Sequence, residues 1–103
     1  MGQTSEFVQY LIKKSQSIPI DVYEKAKDAL CDYLAVTEAG AEENKNRWTD
    51  YLKHIGDGKV EILGYGVCTD GKTAAFINGF NAHSLELDDG QRFAMIHLGG
   101  SII

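Results

Sequence analysis

Two histidines and three acids stand close together late in the chain: His83, Glu86, Asp88 and Asp89 within the run AHSLELDDG, and His97 a short stretch later. If the helical pattern that precedes them continues, His83 and Glu86 share one face, three residues apart, and the imidazole can hydrogen-bond the carboxylate. A carboxylate fixes an imidazole's tautomer and tunes it for general acid or base work. The same pattern puts Glu86, Asp88 and Asp89 on the last turn of that helix, where the backbone dipole is already negative and each acid costs roughly a few tenths of a kcal/mol.

Three chemistries fit such a turn. It could be a solvated helix end, with Arg92 screening part of the repulsion. It could hold a divalent metal, which carboxylate oxygens suit, or a charged or hydroxylated substrate. An HxxE pair followed by DD matches no established ligand spacing, so no metal is expected there. The run His97-Leu98-Gly99-Gly100-Ser101 adds an imidazole and a glycine-led helix start whose free amides could face an anion. A polycarboxylate could sit between that positive end and the acids, and a proton beside one of its carboxylates could be removed and returned there. A simple turn accounts for the glycines equally well.

The elements that must position these groups are mostly helical. Thr4 or Ser5 can cap a first helix carrying Phe7, Tyr10, Leu11 and Lys14 on one face and ending near Ser17, before Pro19. Asp21 and Glu24 form a capping box for a second helix. Its stripe of Val22, Ala26, Ala29, Leu30, Tyr33, Leu34 and Thr37 leads to Gly40 as the stop. Glu42 to Ile55 predicts a third helix, with Trp48, Tyr51, Leu52 and Ile55 on one side and Gly56 at its end. Val60 to Leu63 is a β-prone run among glycines. Asp70 can cap a further helix from Lys72 to about Asp88. In that helix Gly79 costs about 1 kcal/mol relative to alanine, which a close approach of a second helix or a ligand at the Ala75, Gly79, Ala82 and His83 face would offset. Phe76, Phe80 and Leu87 look like core. The expected fold is therefore mainly α, a bundle segment of about four to five helices with one short strand or extended segment.

Composition narrows the partners. The chain has 103 residues, 44% of them hydrophobic, and a single proline, which suits one small domain with a modest core. A net charge of −5 without a basic cluster argues against nucleic acid or an anionic membrane as the main partner, leaving small molecules or proteins. Met1-Gly2-Gln3-Thr4-Ser5-Glu6 fits neither a secretory signal nor the myristoylation pattern. Cys31 and Cys68 share no motif spacing and are expected to be buried, reduced small hydrophobes in a cytoplasmic protein.

Taken in order, Ala74-Ala75-Phe76-Ile77-Asn78-Gly79, then Ala82-His83-Ser84-Leu85-Glu86-Leu87-Asp88-Asp89-Gly90, then His97-Leu98-Gly99-Gly100 resembles the amino-terminal signature of the MmgE/PrpD family, AA..NG..AH.LDFDD followed by HPG. Ala29 to Gly40 is similar to that family's D.LGV..AG helix, and Val60 to Gly64 to its short strand. The resemblance implies a cofactor-independent lyase or isomerase of small polycarboxylates, such as 2-methylcitrate dehydratase, cis-aconitate decarboxylase or iminodisuccinate epimerase. It further implies a helical domain joined to an α/β lid, the site between them, and a homodimer. By position, Glu86 and His97 would be catalytic, and His83, Asp88, Asp89 and Gly90 would bind substrate.

Glu86 replaces the family's usual Asp and Leu98 its usual Pro. Family members are several-fold longer, so residues 1–103 are expected to be the amino-terminal portion of the helical domain, truncated and inactive alone. The apolar end at Ile102 and Ile103 accords with an unfinished helix. A different class of function also fits: a non-catalytic helical module that binds a partner protein through Trp48, Tyr51 and Phe93.

Overall fold

A computed structural model describes residues 2–102, with Ser101 described in its backbone only. Met1 and Ile103, which figure in the terminal patterns above, lie outside the described residues. The order is α1 (Gln3–Ser15), α2 (Ile20–Leu52), β1 (Val60–Ile62), β2 (Val67–Thr69) and α3 (Gly71–His83), followed by one helical turn at Gly99–Ile102.

Three helices thus replace the expected four to five, because the second and third predicted helices are one. Gly40 does not stop α2. No proline interrupts residues 20 to 52, and Ala39, Ala41 and the Glu and Lys around them are strong helix formers. Gly40 is instead where α3 comes close. A Cβ there would run into the backbone carbonyl of Asn81, so only glycine lets the two helices meet at this point. The close approach expected at Gly79 is therefore found at Gly40; a Cβ at Gly79 would meet nothing.

The predicted caps are also revised. Helix α1 starts behind Gly2 and α2 behind Pro19, neither with a side-chain cap. Asp21 and Glu24 therefore lie inside the first turns of α2, where Asp21 favours the dipole and Glu24 pairs with Lys27 at 2.8 Å. Asp70 caps α3 as expected, accepting from the Lys72 and Thr73 amides at 3.0 and 3.1 Å and from the Thr73 hydroxyl at 2.6 Å.

The single expected strand gains a partner. β1 pairs antiparallel with β2, Glu61 opposite Cys68, across a turn in which Gly64 (φ 82°) and Gly66 (φ 65°) take left-handed conformations. Asn78 ties this hairpin to α3: its Oδ1 accepts from the Leu63 amide at 2.9 Å and its Nδ2 donates to the Glu61 carbonyl at 3.1 Å.

Between the second half of α2, the hairpin and α3 lies the core, built on Trp48, Ile62, Ala74 and Ile77. The buried face of α3 is Ala74, Ile77, Asn81 and Ala82. Phe76 and Leu87, expected inside, are 60% and 64% exposed: Phe76 lies off that buried face, and Leu87 lies beyond the end of α3. Phe80 is exposed as well, though its ring and that of Phe76 meet Trp48 edge-on. Trp48 is itself buried, which withdraws it from the predicted partner surface, while Tyr51 and Phe93 remain exposed. Cys31 and Cys68 are both exposed free thiols, not core residues.

The interior also holds a polar network that no sequence pattern announced. Asn81 Oδ1 accepts from the Trp48 indole at 3.1 Å and from Asn44 Nδ2 at 3.3 Å. Asn44 also donates to the Gly40 carbonyl at 2.8 Å and to Ser84 Oγ at 2.9 Å. Asn81 Nδ2 reaches the Tyr65 hydroxyl at 3.4 Å, and that hydroxyl donates to the Ala41 carbonyl at 2.8 Å. Among the described residues every buried side-chain polar atom is paired, so the network fixes the register of α3 on α2 without an unmet donor.

Nothing comparable covers α1. It buries no residue, and its backbone approaches no other named element. The stripe on the first half of α2, including Val22, Leu30 and Leu34, is likewise exposed; burial begins at Val36. Among the described residues, no helix is long and apolar enough to cross a membrane.

Candidate functional site

The signature acids do not sit on a helix. α3 ends at His83; beyond it the Ser84 hydroxyl donates to the Asn81 carbonyl at 3.0 Å and the Glu86 amide closes a tight turn on the His83 carbonyl at 3.0 Å. Glu86 then takes φ 52°, a left-handed conformation uncommon for a non-glycine residue, and the chain reverses. The predicted dipole penalty thus gives way to a different demand, a backbone conformation that Asp and Asn adopt more readily than Glu.

This reversal changes the partner of His83. The expected bond to Glu86 is not formed. Instead His83 Nδ1 lies 3.1 Å from both carboxylate oxygens of Asp88. The Asp88 side chain is only 5% exposed. His97 Nδ1 approaches Oδ2 of the same carboxylate to 3.3 Å, so one nearly buried carboxylate serves two imidazoles. The rings meet edge to face with centroids 4.8 Å apart.

His97 arrives there by way of a small loop. Gln91 and Ile96 form an antiparallel bridge, the Gln91 amide donating at 2.8 Å, while the Gln91 side chain accepts from the Ala94 amide and Met95 takes φ 53°. The loop returns the chain to His83 after a short excursion whose tip, Phe93 and Met95, is fully open to solvent.

Asp89 has a separate task. Its Oδ1 accepts from the Gly99 amide at 2.8 Å and so begins the turn Gly99–Ile102. The anion seat expected at that glycine-led start is therefore taken by the chain's own carboxylate. A Cβ at Gly99 would come within 2.5 Å of the Asp89 oxygen, so a larger residue there would displace that carboxylate.

An open cleft of about 350 Å³ lies against the pair of histidines, bounded by Gly79, His83, Asp88, His97 and Gly100. On the other side of His97 a shallower depression of about 460 Å³ is lined by Gly90, Arg92 and Ile96. Of the six residues singled out, the structure brings together His83, Asp88 and His97. Asp89 stands behind them on the Gly99 turn, Gly90 lies on the neighbouring rim, and Glu86 is exposed outside the cluster. The side chain that spacing missed as a pivot is Asp88. Five residues from His83, it could have been reached from a helix only by ending the helix first.

No curated protein and no solved structure matches the chain significantly. The family model for the MmgE/PrpD N-terminal domain does match, over residues 3–103, which spans both the helical scaffold and the histidine pair. On that match the chain belongs to the MmgE/PrpD family.

Proposed function

We propose that this chain forms one wall of a polycarboxylate site at which a proton next to a carboxylate group is removed or returned, in a dehydratase, decarboxylase or epimerase that needs no cofactor. The observation that carries this reading is the convergence of His83 and His97 on the nearly buried Asp88 at the edge of an open cleft. Asp88 holds both rings in place. His97, 43% exposed, presents its free edge to a ligand as general acid or base, and His83 offers a second hydrogen bond or charge. As imidazolium ions the pair would outweigh the single carboxylate, which suits an anionic ligand. Glu86, exposed outside the cluster, acts as a proton-transferring acid, with Gly90 in the adjoining wall; Asp89 contributes through the turn it begins.

One wall is not a working site. Proton abstraction beside a carboxylate needs water excluded from the charged groups, and here His83 and His97 are 56% and 43% exposed. The chain alone therefore binds polycarboxylates weakly and does not turn them over; a lid and a second subunit complete the site. Imidazole resonances followed by NMR while a tricarboxylate such as citrate is added should shift for His83 and His97, and the shifts should vanish in His97→Ala. Equal shifts with a monocarboxylate would defeat the polycarboxylate assignment, and robust turnover by the isolated chain would defeat the half-site.

The exposed apolar residues of α1 favour a second reading, a helical module that docks on a partner protein without catalysis. Phe7, Tyr10, Leu11 and Ile12 are each about half exposed or more. Light scattering after size exclusion separates the two: a stable monomer that binds citrate speaks for the first, a stable oligomer indifferent to citrate for the second.

A further inference from the structure

We infer that Arg92 selects the ligand of this site: its guanidinium takes a second carboxylate while the first lies against His83 and His97. This role rests on the polycarboxylate reading of the cleft, and it names the group by which a di- or tricarboxylate is told from a monocarboxylate. Arg92 and His97 line the same depression of about 460 Å³, together with Gly90, Met95 and Ile96. His97 also lines the cleft of about 350 Å³ that borders His83 and Asp88. The two hollows therefore share one imidazole as a common wall, and a ligand that reaches past it meets the guanidinium.

The screening of acids expected of Arg92 does not occur. Among the described residues no carboxylate lies within ion-pairing distance of it, although Glu86, Asp88 and Asp89 are near in the chain. Asp88 is taken by the two histidines and Asp89 by the Gly99 amide. The contact that Arg92 does make is with Phe93, whose ring centroid lies 4.8 Å from the guanidinium carbon. An aromatic ring attracts the cation and steadies it, but supplies no oxygen. The N–H donors of the planar fork are thus left for a ligand, and that fork matches a carboxylate through two parallel hydrogen bonds.

The loop that carries Arg92 is closed on itself. Gln91 and Ile96 exchange two backbone hydrogen bonds, at 2.8 and 3.4 Å, and the Gln91 side chain accepts from the Ala94 amide across the turn. Just beyond, His97 is fastened to Asp88. Arg92 and His97 thus stand on one short, pinned segment, so little ordering is required when both bind one ligand. A monocarboxylate held at His97 leaves the guanidinium in water and gains nothing from it.

The test is NMR titration of the whole 103-residue chain with acetate, succinate and propane-1,2,3-tricarboxylate at constant ionic strength, read at the His83 and His97 imidazoles and at the Arg92 Nε–H. The two polycarboxylates should bind more tightly than acetate and should shift the Arg92 signal, which acetate leaves in place. Arg92→Ala should weaken succinate and the tricarboxylate by about three- to tenfold, the scale of one charge-assisted fork on an open surface, and leave acetate unchanged. Arg92→Lys, which keeps the charge without the fork, should recover part of that loss. Lys13→Ala removes one positive charge from α1 and should change nothing. Arg92 is exposed, so its replacement spares the core, and circular dichroism checks each variant's fold. Acetate bound as tightly as succinate by the wild type, or no shift with any of the three, would defeat the polycarboxylate reading and the role of Arg92 with it. A wild-type preference for succinate that survives in Arg92→Ala would overturn the role of Arg92 alone and leave that reading standing. So would an equal loss in Lys13→Ala, which would make the effect one of net charge.

Discussion

The indole of Trp48 on α2 donates to the amide oxygen of Asn81 on α3 at 3.1 Å, and both residues are buried. This bond links the hydrophobic core to the end of the helix that carries His83. Because Asn81 Oδ1 accepts from Asn44 as well, a single side chain sets how far along α2 the site is held.

Replacing Asn81 by alanine should therefore be severe. It leaves the Trp48 N–H buried without a partner and opens a void where the amide was. Together these cost about 2–4 kcal/mol. Urea unfolding followed by Trp48 fluorescence measures it; a loss under about 1 kcal/mol would mean that the network relaxes around the gap.

Two glycines on neighbouring helices should respond with opposite signs. Helix propensity alone favours alanine over glycine by about 1 kcal/mol at both. Gly79→Ala has room and should gain roughly that amount. Gly40→Ala meets the Asn81 carbonyl, a backbone group that cannot step aside, so overpacking of about 1–3 kcal/mol should outweigh the propensity. Thermal midpoints of the two variants, compared with wild type, decide the matter.

Stability should fall at both ends of the pH scale through two identifiable groups. The Thr73 hydroxyl, followed by the Thr73 amide, holds the Asp70 carboxyl below its ordinary 3.8. Its contribution is thus present above that value and is lost as pH falls through the lower folded pKa. Burial pushes the Tyr65 phenol above 10.0, against a smaller opposing effect of the Asn81 hydrogen bond. That contribution is present below 10.0 and is lost as pH rises through the higher folded value. Urea midpoints across pH should show a weaker acid limb in Asp70→Asn and a weaker alkaline limb in Tyr65→Phe.

Backbone amide exchange should divide the chain near Val36. Residues 3 to 34 bury almost nothing, so their helical hydrogen bonds open by local fraying, whereas Gly40 to Trp48 and Ala74 to Ala82 open only with the core. Protection in α1 equal to that in α3 would show that α1 is covered in solution.

The sequence made the scaffold legible where local chemistry decides. The Asp70 cap, the strand at Val60 and the break before Pro19 rest on nearest neighbours, and they hold. The continuous α2 was hidden because Gly40 reads as a stop by propensity, and only the carbonyl of Asn81, 41 residues away in the chain, explains its presence within a helix. At the site, residue types pointed to His83, Asp88 and His97 while helical spacing paired His83 with the wrong acid. The error came from extending α3 past His83, where the chain instead turns and Glu86 takes a left-handed conformation. Exposure of Cys31, Cys68 and Phe76 was equally out of reach, since a small chain with long helices has more apolar side chains than it has interior.

Helix α2, 33 residues long, measures about 50 Å at 1.5 Å per residue, yet only its second half has a core to lie on. The radius of gyration is 16.4 Å, where a compact chain of this length would have about 13 Å. Such a shape meets more friction per unit mass than a sphere. The isolated monomer should therefore sediment slowly, diffuse slowly and elute ahead of its mass, and an apparent dimer on a calibrated column could be one long molecule.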